Sequence, residues 1–345
     1  MPQTNYIKTS IFALILLVGT TLLLPVHSLA TQAYVFTGQT MGTTYAVKLV
    51  SAKPLSKSLW QEKINLRLKQ INARLSMYQK DSELSRFNAA PTGQTFRVSA
   101  DFYQVLEQCR NLHNLTAGAW DGTVKPLVDL WGFGTKGRRD TPPKPDQIKT
   151  ALKRIGFDKL KIGDHVLTKT VPGITLDLGA IAKGYGVDEI ARLIREGGIE
   201  NYLVEIGGEL AGAGKNKHRK TWTVGITNPE KGFLHSGLYK KIRLDKKAIA
   251  TSGNYRNYFE KNGQIYAHII SPKTGYPVEN AVVSTSVISD TCTLADGLAT
   301  ALMVMDTQQA LALINSLENT ECLIIRQDGR KKTALRSSGF KAYEK

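Results

Sequence analysis

The sequence predicts a protein of mixed strands and helices, α+β or α/β, and three observations carry that expectation. Short runs rich in Val, Ile, Thr and Tyr recur along the chain and read as strands. Between them lie longer stretches whose apolar residues repeat every three or four positions and read as amphipathic helices. Apolar residues make up 42% of the 345 and charged residues 22%, with 30 Gly and 12 Pro, which excludes disordered, collagen-like and disulfide-scaffold classes.

Taken in chain order, residues 1–30 stand apart. Lys8 precedes an apolar run over Ile11–Val18 and Leu22–Val26, and Ser28-Leu29-Ala30 supplies small residues at a signal-peptidase spacing. A signal peptide over 1–30 is expected, with a catalytic domain over 31–345. Retention as a membrane anchor is the alternative for the apolar run. No Cys lies near the cleavage site to accept a lipid.

Strands are expected at Tyr45–Leu49, Tyr202–Ile206, Trp222–Ile226, Ile265–Ile270 and Val282–Ile288. Ser58-Leu59-Trp60-Gln61 fits a capping box, and Trp60, Ile64, Leu68, Ile71 and Leu75 then continue one helical face. A second helix is expected from about Asp101 to Leu115, and a third from about Ala180 to Glu196, stopped by Gly197-Gly198. A solvated basic loop running into a helix accounts for 136–161, where nine Lys or Arg cluster with Pro142, Pro143 and Pro145.

The formal net charge is +17, from 46 Lys and Arg against 29 Asp and Glu. Such a balance favours anionic partners without choosing among them. Aromatic residues do not interleave with the basic clusters as a single-strand platform requires, so a nucleic-acid role is not expected. Cys109, Cys292 and Cys322 sit in apolar series, lack metal-ligand spacing and are expected to be buried thiols.

Three segments carry chemistry. In Asp290–Leu302, Leu294, Leu298, Ala301 and Leu302 mark one helical face, with Met305 beyond them, while Asp296 and Thr300, four residues apart, share the opposite side. An acid and a hydroxyl so placed suit Mg²⁺, a hard ion that completes its shell with water and phosphate, or else form a solvated polar face. In Ile174–Gly186, Asp177 ends a strand and passes through Gly179 into a helix start, where backbone amides and Lys183 favour phosphate. In Tyr266–Pro277, His268 closes an apolar strand before a Pro/Gly turn and has the proton equilibrium of a general base. Met41-Gly42-Thr43-Thr44, Glu205–Glu209 and Thr251–Tyr255 are Gly-bearing turns that admit close ligand approach.

Together, these segments resemble the FAD:protein FMN transferase family, also called ApbE. The likeness also rests on Gln39–Thr43, Arg74–Tyr78, Ser82–Asn88, Gly118-Ala119-Trp120-Asp121, Ala250–Gly253, His268–Gly275 and Ala295–Thr300, and spans Met41 to about Met305. Two positions depart from the family pattern: Ser271 stands where an acidic or amide residue is usual, and Glu205 where a neutral amide is common.

The resemblance implies an α+β fold of mixed sheets and packed helices, related to the T-fold. It implies transfer of FMN from FAD onto a Thr or Ser hydroxyl of an acceptor protein, with release of AMP. The implied flavin contacts are Met41, Tyr78, Ala119, Trp120, Asp121, Asp177, Lys183 and Ile270. The implied Mg²⁺ ligands are the Ala180 carbonyl, Asp296 and Thr300, and His268 is the expected base, with Asp177 or Asp121 able to take that task. Acceptor subunits of Na⁺-translocating NADH:quinone reductase or Rnf-type complexes, and a periplasmic address at the outer face of the inner membrane, follow from the same likeness. The alternatives are a Mg²⁺-dependent FAD pyrophosphatase yielding free FMN and AMP, or a periplasmic flavin-binding protein without turnover.

Overall fold

The structure is a computed structural model, and it describes residues 31–345 except 136, 138, 140, 230–236, 255–257, 262 and 330. The signal peptide expected over 1–30 lies outside the described residues. Strands run over Gln32–Thr40 (β1), Thr43–Ser51 (β2), Thr95–Arg97 (β3), Leu160–Gly163 (β4), Val166–Lys169 (β5), Asn201–Ile206 (β6), Glu209–Ala213 (β7) and Trp222–Thr227 (β8). They continue with Leu238–Leu244 (β9), Lys247–Gly253 (β10), Tyr258–Lys261 (β11), Gln264–Ala267 (β12), Val282–Ser289 (β13), Glu321–Asp328 (β14) and Lys331–Arg336 (β15). Helices cover Lys57–Leu75 (α1), Glu83–Ala89 (α2), Ala100–Leu115 (α3), Lys125–Leu130 (α4), Pro145–Leu152 (α5), Ala182–Glu196 (α6), Cys292–Val304 (α7) and Thr307–Ser316 (α8).

The principal sheet has the order β1-β2-β6-β7-β10-β13-β14-β15, and every adjacent pair in it is antiparallel. Antiparallel pairing decides between the two classes that periodicity left open, because α/β folds require parallel strands joined by helical crossovers. The fold is α+β. Successive residues of its central strands face opposite layers: Cys322 and Ile324 of β14 pack under the helices, whereas Leu323 and Ile325 join Trp222, Ile242 and Phe340 on the other side. The β8–β9 hairpin thus covers one face of the sheet, and α1, α6 and α7 the other.

Several elements depart from expectation. Ser56, not Ser58, caps α1, its hydroxyl accepting the Leu59 N–H (3.4 Å), because Ser58 already lies inside the first turn. Helix α6 begins at Ala182, two residues later than expected, because the Ile181 and Ala182 amides bond back to the Leu178 carbonyl and close a separate turn (3.1 and 2.9 Å). Strand β12 ends at Ala267, so His268 follows it. All three cysteines are buried and free, as their neighbours predict.

Helices α6 and α7 run antiparallel and cap one another. Ile181 offers α6 no side-chain cap, and Asp296 of α7 supplies one by accepting the Gly184 N–H on Oδ2 (3.0 Å). In return Asp188 of α6 accepts the amides of Cys292 and Thr293 (2.8 Å each) and the Thr293 hydroxyl at the start of α7. The helices must approach closely for this, and Gly184 permits it: a Cβ there would stand 2.4 Å from the Cys292 carbonyl oxygen. Gly184→Ala is expected to cost about 1–3 kcal/mol through overpacking against rigid backbone. Denaturant unfolding of the variant checks this, and a wild-type midpoint would show that the helices separate freely.

Candidate active site

A cavity of about 520 Å³ opens between the sheet and the α6–α7 pair. Four segments build its polar wall. The first is the turn over Asp177–Ala180, where the Gly179 N–H donates to Asp177 Oδ1 (2.8 Å) and the Asp177 N–H donates to the Gly122 carbonyl (2.8 Å). That second bond fixes the turn to the Ala119–Asp121 loop, so both line one space. The next is α6, whose first turn projects Lys183. Opposite it, the Gly207-Gly208 turn joins β6 to β7 with φ of 63° and 108°, both in the positive range that two-residue hairpins require, and it delivers Glu209 to the wall. The last is α7, contributing Asp296, Thr300 and Val304.

At the centre Lys183 lies between two carboxylates, with Nζ 3.3 Å from Glu209 Oε1 and 3.7 Å from Asp296 Oδ2. Both acids are buried, Glu209 to 4% and Asp296 to 3% exposure, so the polar side of α7 is not the solvated face that its spacing also allowed. Burial works to lower the Lys183 pKa, but Asp296 and then Glu209 outweigh it and hold the ammonium above its ordinary range. Burial pushes the Glu209 carboxyl up to about 8; Lys183 opposes the shift and Asp296 adds to it. Asp177 is likewise raised by burial, against the Gly179 amide and Lys125.

Glu209 Oε2 is buried without a hydrogen-bond partner, so the cluster keeps one carboxyl oxygen unsatisfied. Thr300 Oγ1 stands 3.0 Å from Ser252 Oγ, and both hydroxyls line the cavity with Ala180. Among the described residues no cluster of three or more His, Cys, Asp or Glu is arranged as a metal site. The hard oxygens of Asp296, Thr300 and Ala180, beside an orphaned carboxylate oxygen, nevertheless fit a hard cation of the Mg²⁺ type, which does not need such a cluster.

The remaining wall is apolar. Trp120 is 2% exposed and is held by its backbone N–H, which donates to Thr116 Oγ1 (3.0 Å). Ala119, Ile269, Ile270 and Phe133 continue that surface. Asp121 receives the Thr123 amide and hydroxyl on Oδ1 (2.8 and 2.6 Å) and faces His113 Nδ1 with Oδ2 (3.4 Å). His268 lies on the lining with its ring edge-on to Phe133. Tyr78 sits on the lining while 73% exposed, which puts it at the mouth.

Of the residues that the sequence singled out, Tyr78, Ala119, Trp120, Asp121, Asp177, Ala180, Lys183, His268, Ile270, Asp296 and Thr300 share this one cavity. Met41 is not on its lining; it adopts φ 50° and packs its methyl group where a Cβ on Gly186 would stand. Sequence reasoning gave Glu209 and Ser252 no role beyond Gly-rich turns, and it missed His113 and the cap from Asp188. An acid directly after a Gly-Gly turn was the available signal for Glu209.

An α+β scaffold that gathers its titratable groups into one half-apolar cavity beside a close-packed helix pair defines an enzyme. The ApbE family model matches residues 41–324, and the chain belongs to that family. A Vibrio cholerae relative named FAD:protein FMN transferase is 42% identical over 309 residues, covering 89% of this chain and 91% of its own. One of the same name from Haemophilus influenzae is 40% identical over 318 residues, with 90% and 91% covered. The structure of a flavin transferase ApbE from Vibrio cholerae superposes with a TM-score of 0.83 at 38% identity, over 91% of this chain and 99% of that one.

The raised Glu209 carboxyl gives stability a pH dependence. Between the unfolded value near 4.5 and about 8 the folded chain binds more protons than the unfolded one, so stability falls as pH rises, by at most about 1.4 kcal/mol per pH unit. Glu209→Gln is expected to flatten that slope in urea unfolding with chelator present. Parallel profiles for both proteins would show that Glu209 stays ionised beside Lys183.

Proposed function

We propose that this chain moves the FMN half of FAD onto a Thr or Ser hydroxyl of an acceptor flavoprotein and releases AMP. The observation that carries the proposal is one cavity joining an apolar aromatic wall, suited to a flavin ring, to the Lys183–Glu209–Asp296 cluster, suited to a pyrophosphate. In the reaction the acceptor oxygen bonds to the FMN phosphorus, the bond from that phosphorus to the bridging oxygen breaks, and AMP departs with the oxygen.

The residues divide the work by chemistry. Trp120, Ala119 and Ile270 bury the ring, and Tyr78 covers it at the mouth. Lys183 supplies a fixed positive charge to the phosphates and is preorganised by its two acids. His268 takes the proton of the incoming hydroxyl. Asp296, Thr300 and the Ala180 carbonyl would hold Mg²⁺, which offsets the charge of the pyrophosphate when bound.

Export by residues 1–30, a periplasmic site of action at the outer face of the inner membrane, and acceptors of the Na⁺-translocating NADH:quinone reductase or Rnf type complete the proposal. Among the described residues no helix is long and apolar enough to cross a membrane. Incubation with FAD, Mg²⁺ and a candidate acceptor, followed by the acceptor's mass, tests the reaction. Free FMN with an unmodified acceptor would replace transfer by hydrolysis.

Variants at two positions refine the roles. His268→Ala is expected to lower the transfer rate by about 10² to 10⁴ while FAD affinity stays within a few fold. Loss of affinity restored at saturating FAD would make His268 a binding contact. Asp296→Asn keeps an oxygen for the Gly184 amide and removes the charge, so it should retain wild-type stability yet lose Mg²⁺-dependent turnover. Asp296→Ala should lose both. Equal turnover by the Asn variant at low Mg²⁺ would take Asp296 out of the metal shell.

A further inference from the structure

A second open space, of about 610 Å³, lies beside the cavity just described, and one turn of chain separates them. The turn spans Ile269–Val278. It is closed by the Ser271 N–H to the Tyr276 carbonyl (2.9 Å), the Gly275 N–H to the Ser271 carbonyl (2.8 Å) and the Val278 N–H to the Ile269 carbonyl (2.9 Å). The Trp131 indole N–H donates to the Gly275 carbonyl (2.8 Å) and anchors the turn from outside. One side of this wall, Ile269, Ile270 and Pro272, lines the flavin cavity; the other, Ser271, Thr274 and Tyr276, lines the groove. Val304 at the end of α7 lines both spaces, so they meet there.

We infer that this groove seats an extended segment of the acceptor protein next to the modified hydroxyl, with Arg326 as its polar anchor. The inference rests on the flavin-transfer reading and assigns a docking surface to it. Thr300 and Val304 are four residues apart on one helix, a rise of about 6 Å, which an extended chain covers in about two residues. A hydroxyl presented near Thr300 therefore places residues two or more positions away in the groove.

Charge in the groove favours the same occupant. Asp306 is committed to capping α8, accepting the Gln308 and Gln309 amides (2.9 and 3.2 Å). Glu279 adds a second acid to the lining, and Arg326 is loosely paired: among the described residues its ion-pair partner is Asp328, 3.9 Å away, and its Nε has no hydrogen-bond partner. The Arg326 side chain as a whole is 37% exposed, so its guanidinium can donate to a carbonyl or carboxylate of a docked chain. Tyr276, 44% exposed on the rim, offers a flat apolar surface to the same segment.

The test uses full-length enzyme and, as probe, the apo form of an acceptor subunit of a Na⁺-translocating NADH:quinone reductase. Arg326→Glu, and Gln308→Trp to fill the groove, should each raise KM for the acceptor about tenfold. The rate at saturating acceptor and the Kd for FAD, read by flavin fluorescence, should stay within twofold. Arg326→Lys should recover most of the loss. If wild type flavinylates the probe and both variants keep its KM, the groove is not the docking surface and the transfer reading stands. If wild type releases FMN and never modifies the probe, transfer itself falls and the docking surface with it. Unchanged FAD affinity certifies folding, and if Arg326→Glu fails that check Gln308→Trp decides.

Discussion

The reciprocal capping of α6 and α7 is the constraint on which the site depends. Each helix starts without enough partners for its first amides, and each draws the missing acceptor from the second turn of the other. The exchange fixes register as well as distance, because Asp296 meets Gly184 only when Asp188 meets Cys292 and Thr293. Register in turn sets Lys183, one residue before Gly184, against Asp296. The same carboxylate thus ties folding to chemistry: it holds the helix pair together through the Gly184 amide and lines the cavity beside Lys183.

The electrostatics divide by depth. At the surface the chain carries its large positive excess as scattered, hydrated Lys and Arg, whose pairwise contacts contribute little. In the cavity one lysine meets two buried acids, and burial holds one of them, Glu209, toward its protonated form. A ligand that is anionic overall but arrives with a cation suits such an arrangement. The outer charge raises the encounter rate with an anionic ligand.

Much of this was legible in the sequence where a local pattern determines the outcome. The α1 face at Trp60, Ile64, Leu68, Ile71 and Leu75 is buried throughout, because helical spacing leaves those side chains one direction to point. The pairing of Asp296 with Thr300 was visible for the same reason. Sheet direction was not, since antiparallel and parallel strands share a composition and only the register of distant residues separates them. Nor was the Lys183–Glu209–Asp296 cluster, whose members come from a helix start, a hairpin and a second helix. The expected start of α6 at Ala180 failed because Leu178 supplies a carbonyl to a local turn, a choice that propensity does not encode.

The three buried thiols have a consequence for how the chain is made. Cys109, Cys292 and Cys322 have no exposed surface and are raised in pKa by burial, so both access and thiolate are scarce in the native state. The unfolded chain has no such protection. In an oxidising solution the hazard is therefore confined to the interval before the core closes, and native yield becomes a race between collapse and random cross-linking. Cys292 adjoins the α7 cap, so assembly of the helix pair ends that race for one of the three at the same moment that it assembles the site.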